Sequence, residues 1–209
     1  MSETESISIF LTSMTIGGAE RVALDLSSGF VNRGYDVDLV LVEATGDLLK
    51  DVHEDVSIVN LGTSRVATSV LPLSQYLSSR NPDVFYSMMT EPNLIAIAAH
   101  WVVSSDTRLI ISEHNMLSRR TDSIKDRLVA RAAWASYPLA DHAVAVSEGV
   151  YQDLLGQTRL DDDSVSMIYN PVRIASIKER SSEEVNHEWL ANDSFDVVLS
   201  GGRHESQKG

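Results

Sequence analysis

The sequence predicts an α/β fold built on a doubly wound, mainly parallel sheet with helices on both faces. Two observations predict it. Short runs rich in Val, Ile and Leu recur along the chain, which is typical of strands buried on both faces of a parallel sheet. Helical stretches separate most of these runs, and strict alternation of strand and helix favours a Rossmann-like sheet. Ligands of such sheets bind at the carboxyl ends of the strands, so the loops there carry the candidate sites.

Eight apolar runs are predicted to be strands. In chain order they span Ile7–Leu11, Val37–Val42, Val56–Leu61, Val84–Met88, Arg108–Ile111, Ala143–Val146, Val165–Ile168 and Val197–Leu199. The first predicted helix has apolar residues at helical spacing from Ala19 to Phe30 and is followed by Gly34, a typical residue after a helix end. The further predicted helices span Thr68–Ser79, Asn93–Val103, Ser123–Tyr137, Glu148–Leu155 and Ser176–Leu190.

The last residues of the chain predict the start of a second domain. Phe195–Ser200 is typical of a buried strand, and residues 201–209 form a glycine turn that carries Arg203 and Lys208. A strand and turn of this kind normally open an α/β domain. We therefore expect residues 1–194 to form a Rossmann-like domain with a linker helix, and residues 195–209 to begin a second domain that is cut after its first strand and turn.

Composition restricts the class of protein. The chain of 209 residues contains 43% hydrophobic residues and no cysteine, so it predicts a globular protein without disulfides or thiolate metal sites. No other metal site and no cofactor are predicted. The amino terminus is acidic, and no apolar run approaches the ~18 residues of a membrane span, which predicts a cytoplasmic protein. The net charge of −13 opposes a nucleic-acid partner and fits a high-salt cytoplasm as well as an ordinary acidic protein.

The first candidate site is the loop after the first strand. Gly17 and Gly18 stand where a helix begins, so the backbone there can approach a ligand closely. The free N–H groups of a first helical turn attract an anion such as phosphate. The loop lacks the Gly-x-Gly-x-x-Gly dinucleotide motif, so it fits either a tight structural turn or a phosphate site.

The second candidate site is the loop after the strand that ends at Ile111. It carries His114, and a place at the carboxyl end of a strand aims the ring into the crevice. The stretch that follows, residues 119–134, contains five basic and two acidic residues. This composition fits either an ordinary surface helix or a basic amphipathic face for anionic lipid or pyrophosphate. The basic residues are Arg119, Arg120, Lys125, Arg127 and Arg131.

Five motifs together resemble a known family. They are Gly17–Val22, Ser112–Asn115, Val144–Val150, Asn170–Val172 and Gly202–Gly209. In this order and spacing they resemble the amino-terminal half of family 4 (group 1) glycosyltransferases. The resemblance implies a GT-B architecture, in which two Rossmann-like domains face each other across a cleft. It also implies that the first domain recognises the acceptor, that the second binds a nucleotide-diphosphate sugar, and that transfer retains the configuration of the sugar.

The resemblance implies roles for single residues. Gly17 and Gly18 would supply N–H donors to the charge that develops on the leaving diphosphate. His114 is the catalytic candidate, as a polar contact to the transferred sugar. Glu113 and Asn115, which flank it, would bind substrate.

On the donor side, the resemblance implies that Arg203 and Lys208 neutralise the diphosphate of the nucleotide sugar. The Glu-x7-Glu region that holds the donor in this family is absent, so the chain alone is expected to be inactive. The acceptor is expected to be a glycan or, because of the basic stretch, a lipid-linked molecule. The protein would then make weak contact with the inner face of a membrane, and its oligomeric state is left open.

Two other interpretations stay open. A nucleotide-sugar epimerase of GT-B fold also places a diphosphate in such a cleft, although the Gly-Gly-Ala-Glu-Arg start weighs against it. A non-catalytic module that works with a separate partner is the third interpretation.

Overall fold

The first strand of the chain lies inside a seven-stranded parallel sheet. The computed structural model describes residues 4–103, 106–120, 123–185, 187–190 and 196–199. The strand order is β3-β2-β1-β4-β5-β6-β7, and every pairing is parallel. The strands are β1 (Ser6–Leu11), β2 (Asp36–Leu41), β3 (Val56–Asn60), β4 (Val84–Met88), β5 (Arg108–Glu113), β6 (His142–Ala145) and β7 (Val165–Met167). The predicted doubly wound α/β fold is confirmed.

Helices connect most of these strands at the predicted places. They are α1 (Gly18–Val31), α2 (Val70–Arg80), α3 (Thr90–Val103), α4 (Ile124–Ser136), α5 (Glu148–Gln157) and α6 (Ile174–Arg180). Helix α3 begins three residues before the predicted Asn93, because Thr90, Glu91 and Pro92 form its first turn, where a proline is tolerated. No helix among the described residues is long and apolar enough to cross a membrane.

Alternating side chains of the strands build two cores, one on each face of the sheet. In β1, Ile9 and Leu11 pack with α1, whereas Phe10 points to the opposite face and stacks on Phe85 with ring centroids 5.8 Å apart. Buried residues of α2, α3, α4 and α5 join Phe10 in the second core. The helices therefore cover both faces, as the sequence predicts.

The topology places three loops together. The chain runs outward from β1 through β2 to β3 and then crosses back to β4, which lies on the other side of β1. In a doubly wound sheet a ligand crevice forms at such a switch point, outside the carboxyl ends of the strands. The loops after β1, β4 and β5 all lie at this edge, because the three strands are parallel neighbours.

The face that carries α1 also exposes an apolar groove of about 480 Å³. Its walls include Ile7, Val22, Phe30, Tyr86, Ile110 and Val144. Among the described residues, no charged side chain lines the groove, so these walls are unsuited to a phosphate or a diphosphate.

The chain divides into two compact units, Met1–Pro171 and Val172–Gly209. In the second unit, α6 ends at Arg180, so the helix predicted to reach Leu190 is shorter than expected. Residues 196–199 are irregular and Val198 is 93% exposed, so the strand Val197–Leu199 of a second domain stays a prediction. No described strand offers these residues hydrogen-bond partners, and a strand forms only in a ladder. The domain boundary at 194/195 stays a prediction, and Arg203 and Lys208 lie outside the described residues.

Candidate substrate-binding site

The glycine loop enters α1 with an open amino terminus. Gly17 precedes the helix with extended backbone (φ −154°), and no side chain caps the helix there. A Cβ at Gly17 would lie 2.2 Å from Oε2 of Glu20, whereas a Cβ at Gly18 would meet nothing within 4 Å. The first-turn N–H groups of a helix have no intrahelical partner, so they are available to an anion beside Gly18.

Gly46, in the loop after β2, packs closely against the residues that lead to the glycine loop. Gly46 has φ +116°, and a Cβ there would lie 2.2 Å from the carbonyl carbon and oxygen of Met14. The N–H of Met14 donates to the carbonyl of Thr45 at 2.8 Å, and the N–H of Leu48 donates to the carbonyl of Met14 at 3.0 Å. The loop after β2 therefore fixes the residues that lead to Gly17, and only glycine permits so close an approach.

His114 follows β5 at the same edge of the sheet. The ring is half-buried, and its Nε2 lies 3.3 Å from Oγ of Ser112. Burial lowers the pKa of His114 to about 4, so the imidazole is neutral at neutral pH. A neutral ring can exchange one hydrogen bond with a sugar hydroxyl, but it does not supply a fixed positive charge.

Glu113 points away from the crevice and is only 1% exposed. Its carboxylate accepts hydrogen bonds from the hydroxyl of Tyr137, from Oγ1 of Thr90 at 3.0 Å and from Nδ2 of Asn93 at 3.4 Å. Burial raises the pKa of Glu113 to about 7, although these hydrogen bonds favour the charged form. The predicted substrate contact of Glu113 stays untested, and its burial favours a role in holding α3 against the end of β5.

A basic cavity of about 620 Å³ lies between the loops after β1, β3, β4 and β5 and the start of α4. Its walls include Thr12, Arg65, Glu91, Asn115, Arg120 and Lys125. Three of these side chains carry positive charge and one carries negative charge. In a chain with a net charge of −13, this local excess of cations favours an anionic ligand.

Glu91 and Arg120 form the rigid part of the cavity wall. The guanidinium donates to both carboxylate oxygens, with distances of 2.9 and 3.0 Å. Burial alone would raise the pKa of Glu91, but the hydrogen bonds and charge of Arg120 lower it below its ordinary value. The pair is therefore ionised, and the planar guanidinium keeps further N–H groups with which to bind a ligand.

Met89 forms another part of the wall and has an uncommon backbone conformation. Its φ is +74°, which L side chains rarely adopt. The N–H of Met89 donates to the carbonyl of Ser112 at 3.0 Å, and its own carbonyl accepts from the N–H of Asn93 at 2.9 Å. Hydrogen bonds to β5 and α3 therefore maintain a strained residue at the mouth of the cavity, as is common at binding sites.

The structure brings together only part of the predicted site. Asn115, Arg120 and Lys125 line one cavity, and Thr12 connects it to the glycine loop. Arg120, which was predicted to belong to a basic face, is only 20% exposed and is paired with Glu91. The remaining basic residues of the stretch are exposed, namely Arg119, Lys125, Arg127 and Arg131.

Several cavity residues were not predicted, among them Arg65, Met89 and Glu91. Arg65 lies in the loop after β3, and Met89 and Glu91 follow β4 directly. The signal for Glu91 was its place beside Pro92 at a helix start, immediately after an apolar strand. Arg65 gave no signal, because an isolated arginine in a loop is common.

Comparison with known proteins shows the family to which the chain belongs. The model of Glycosyltransferase Family 4 matches residues 16–176, which is more than half of the chain. The chain belongs to glycosyltransferase family 4. This match confirms the family resemblance, and it covers four of the five motifs; Gly202–Gly209 lies outside it.

One curated relative matches almost the whole of this chain. In Campylobacter jejuni, N-acetylgalactosamine-N,N'-diacetylbacillosaminyl-diphospho-undecaprenol 4-alpha-N-acetylgalactosaminyltransferase is 23% identical over 222 residues, covering 98% of this chain and 56% of the relative. This chain therefore spans about half the length of the curated relative.

Solved structures share the fold. HepE from Anabaena, in complex with UDP-glucose, has a TM-score of 0.61 and 18% identity over 81% of this chain and 45% of its own. A Listeria monocytogenes protein described as a UDP-N-acetylglucosamine 2-epimerase has a TM-score of 0.58 and 12% identity over 90% of this chain and 50% of its own. Likeness at this level shows the fold alone, and it confirms a Rossmann-like domain of the GT-B type.

Proposed function

We propose that this chain is the acceptor-side half of a retaining glycosyltransferase that transfers a sugar from a nucleotide-diphosphate sugar to a lipid-linked diphosphate acceptor. The observation that carries the proposal is the basic cavity at the carboxyl edge of β1, β4 and β5. Arg65, Arg120 and Lys125 supply three cations there, which suits a diphosphate better than an uncharged glycan. The Campylobacter relative, whose name contains a diphospho-undecaprenol, supports this choice of acceptor.

The proposed roles follow the geometry. Lys125 and Arg120 bind the acceptor diphosphate, and Asn115 orients the sugar beside it. The N–H groups at Gly18 stabilise the charge that develops on the leaving nucleotide diphosphate. His114, as a neutral ring, contacts the transferred sugar.

Because donor binding is assigned to Arg203, Lys208 and sequence beyond them, we expect this chain to bind the acceptor but to transfer nothing alone. Geranyl diphosphate is a suitable probe of the acceptor site, with geraniol as the uncharged control. Titration into the ¹⁵N-labelled chain should shift the amide signals of Gly18, Asn115 and Lys125 saturably, and geraniol should not.

Two variants locate the site. Replacement of Arg65 and Lys125 with Gln together should abolish these shifts, whereas Arg108→Gln, at the opposite end of β5, should preserve them. Shifts that survive the double replacement, or that appear equally with geraniol, would contradict the proposal.

Donor binding separates the remaining interpretations. Calorimetry of this chain with UDP-, GDP- and ADP-sugars should give no measurable heat. Micromolar donor binding would contradict a half-enzyme, and conversion of UDP-N-acetylglucosamine would support the epimerase instead. Family membership favours the transferase, because the fold is common to both enzyme classes.

A further inference from the structure

The basic cavity has an apolar wall as well as a charged one. Besides its cations, the described residues that line it include the aliphatic side chains of Val66, Leu94, Ile95 and Val129. All four residues are half-buried, and Val66, Leu94 and Ile95 also pack against the core on the face that carries α2 and α3. The wall is therefore rigid, and its open side is apolar surface that a diphosphate alone would leave in contact with water.

The charged and the apolar side chains lie at different depths. Helices α3 and α4 follow the parallel strands β4 and β5, so both begin at the carboxyl edge of the sheet and run away from it. On α3, Glu91 belongs to the first turn, and Leu94 and Ile95 follow on the same face one turn later. On α4, Val129 follows Lys125 by one turn in the same way. Each helix therefore places an apolar level about 5 Å below a charged one.

This order of polarity fits an amphiphilic ligand. Lys125 and Arg120, which is paired with Glu91, mark the charged level and suit the diphosphate of the proposed acceptor. A hydrocarbon joined to that diphosphate can extend down the helices to the apolar level. Its burial there removes apolar surface of both the ligand and the wall from water, which is favourable.

A sugar is a poorer occupant of the apolar wall. Its ring carries hydroxyl groups, and a hydroxyl group that is buried without a hydrogen-bond partner costs free energy. The aliphatic side chains of the wall offer no such partner. Polar side chains line the cavity elsewhere, among them Thr12, Ser64 and Asn115, and they suit the sugar that a lipid diphosphate carries at its other end.

A nucleoside is a poor occupant for a related reason. Bases commonly stack on aromatic rings when proteins bind them, and none of the described residues that line the cavity is aromatic. A base also carries N–H and carbonyl groups, which an aliphatic wall leaves without partners. The wall therefore favours a hydrocarbon over the nucleoside of the sugar donor.

We propose that Val66, Leu94, Ile95 and Val129 bind the part of the acceptor's prenyl chain that is next to the diphosphate. The inference rests on the proposed function and deepens it, because it makes the hydrocarbon part of what the protein recognises. These four residues then determine specificity for the diphosphate ester of a hydrocarbon over other diphosphates.

Calorimetric titration of the whole chain with methyl diphosphate and geranyl diphosphate tests the inference. Both probes are diphosphate monoesters of the same charge, so they differ only in hydrocarbon. Geranyl diphosphate should bind at least about tenfold more tightly, since burial of about two methylene groups corresponds to that ratio. Geraniol should stay undetected, because contact with the wall alone does not offset the entropy cost of binding.

Methyl NMR signals locate the hydrocarbon directly. In the chain labelled with ¹³C at the methyl groups of Ile, Leu and Val, geranyl diphosphate should show NOEs to Ile95 and Val129, and methyl diphosphate should show none. Val102, which is 63% exposed near the end of α3 and does not line the cavity, is the control signal and should not respond.

Substitutions of nearly equal shape separate the wall from the cations. Val66→Thr with Val129→Thr replaces one methyl group by a hydroxyl group at each position, so the affinity for geranyl diphosphate should fall about fivefold or more. Binding of methyl diphosphate should be unchanged, which also shows that the variant is folded. Lys125→Gln should weaken both ligands by the same factor, and Val102→Thr should weaken neither. The NOEs of the wild type decide the question if the double variant unfolds.

Four outcomes would overturn the inference. Equal affinity for the two diphosphates would show that the wall is unused, and it would leave the proposed diphosphate acceptor intact. A preference for geranyl diphosphate that survives the double variant, without NOEs to Ile95, would place the hydrocarbon elsewhere. NOEs to the wall from N-acetylgalactosamine 1-phosphate, and not from geranyl diphosphate, would assign the wall to the acceptor sugar. Absence of binding by both diphosphates would contradict the proposed function itself.

Discussion

The guanidinium of Arg120 holds both carboxylate oxygens of Glu91 across 29 positions of sequence, with Nη2 2.9 Å from Oε2. Glu91 belongs to the first turn of α3, and Arg120 lies between β5 and α4. The pair therefore joins the loops after two neighbouring strands, and it forms one wall of the basic cavity. The protein thus orients this cation before any ligand binds, which lowers the entropy cost of binding.

Replacement of Arg120 with Lys should weaken ligand binding in the cavity while keeping the positive charge. Lysine cannot form the planar, bidentate contact, so the affinity for geranyl diphosphate should fall about tenfold and the free energy of unfolding by about 1–2 kcal/mol. Ligand titration and urea unfolding measure the two effects. Arg119→Lys, at an exposed position, is the matched control and should alter neither. Wild-type affinity in Arg120→Lys would show that the pair does not orient the ligand site.

Gly46→Ala should be strongly destabilising. Gly46 combines φ +116° with a Cβ position 2.2 Å from the backbone of Met14, so alanine must displace the loop that leads to Gly17. We expect a loss of roughly 3 kcal/mol or more in the free energy of unfolding, and about 1 kcal/mol for Gly34→Ala, which has φ +86° and open space. Urea unfolding of both variants gives the comparison. Equal losses would mean that the close approach to Met14 is not rigid.

Gly18→Val should leave the fold intact and abolish transfer by the proposed two-domain parent enzyme. The added side chain meets no protein atom at Cβ, so it would occupy the space of the anion. Gly29→Val introduces the same β-branched side chain in the same helix but away from the site, and its Cβ would meet only the Arg33 side chain at 3.5 Å. Both variants should therefore have similar melting temperatures, and activity should survive in Gly29→Val alone. Retained activity in Gly18→Val would reduce the glycine loop to a structural turn.

Periodicity in the sequence predicts elements better than it predicts their partners. The strands were predictable because burial on both faces of a parallel sheet leaves continuous apolar runs such as Ile7–Leu11. The start of a helix at Gly18 was also predictable, whereas the ligand expected there stays a prediction.

The orientation of helix faces and the pairing of distant residues leave a weaker signal in the sequence. Ile124 and Leu128 recur at helical spacing whether they face the core or the solvent, so their exposure on α4 could be seen only in the tertiary structure. Arg120 carries the same sequence signal as exposed Arg119, and only contact with Glu91, 29 residues away, separates their roles. The Glu113 network is of the same kind, because its donors come from α3 and from Tyr137.

His114→Ala should reduce turnover of the parent enzyme by about 10²-fold, the effect expected for one positioned polar contact. Because the pKa of His114 is lowered to about 4, the ring stays neutral above that value, and its loss should not create a new pH dependence between pH 6 and 8. Steady-state kinetics and thermal unfolding provide the two readouts. A variant that loses mainly melting temperature, with turnover preserved, would make His114 a structural residue of the β5 loop.

Glu113→Gln should change the pH dependence of folding. The pKa of Glu113 is about 7 in the folded chain, above its ordinary value of 4.5, so its stabilising contribution is present below about pH 4.5 and is lost as the pH rises through 7. The shift corresponds to about 3 kcal/mol in the free energy of unfolding, and Gln, which does not titrate, should remove this fall. His114 acts in the opposite direction, since its contribution is lost as the pH falls through about 4.

Comparison of Glu113→Gln with the wild type at each pH cancels the effect of His114. Urea unfolding at pH 5 and pH 8 should therefore show a steeper loss of stability in the wild type than in the variant. Glu148→Gln, at the exposed start of α5, should follow the wild type. Ionised Glu113 accepts hydrogen bonds from Thr90 and Asn93 at the start of α3, next to Glu91 and the cavity. Parallel curves for Glu113→Gln and the wild type would mean that Glu113 stays ionised when buried, and that its hydrogen bonds outweigh the cost of burial.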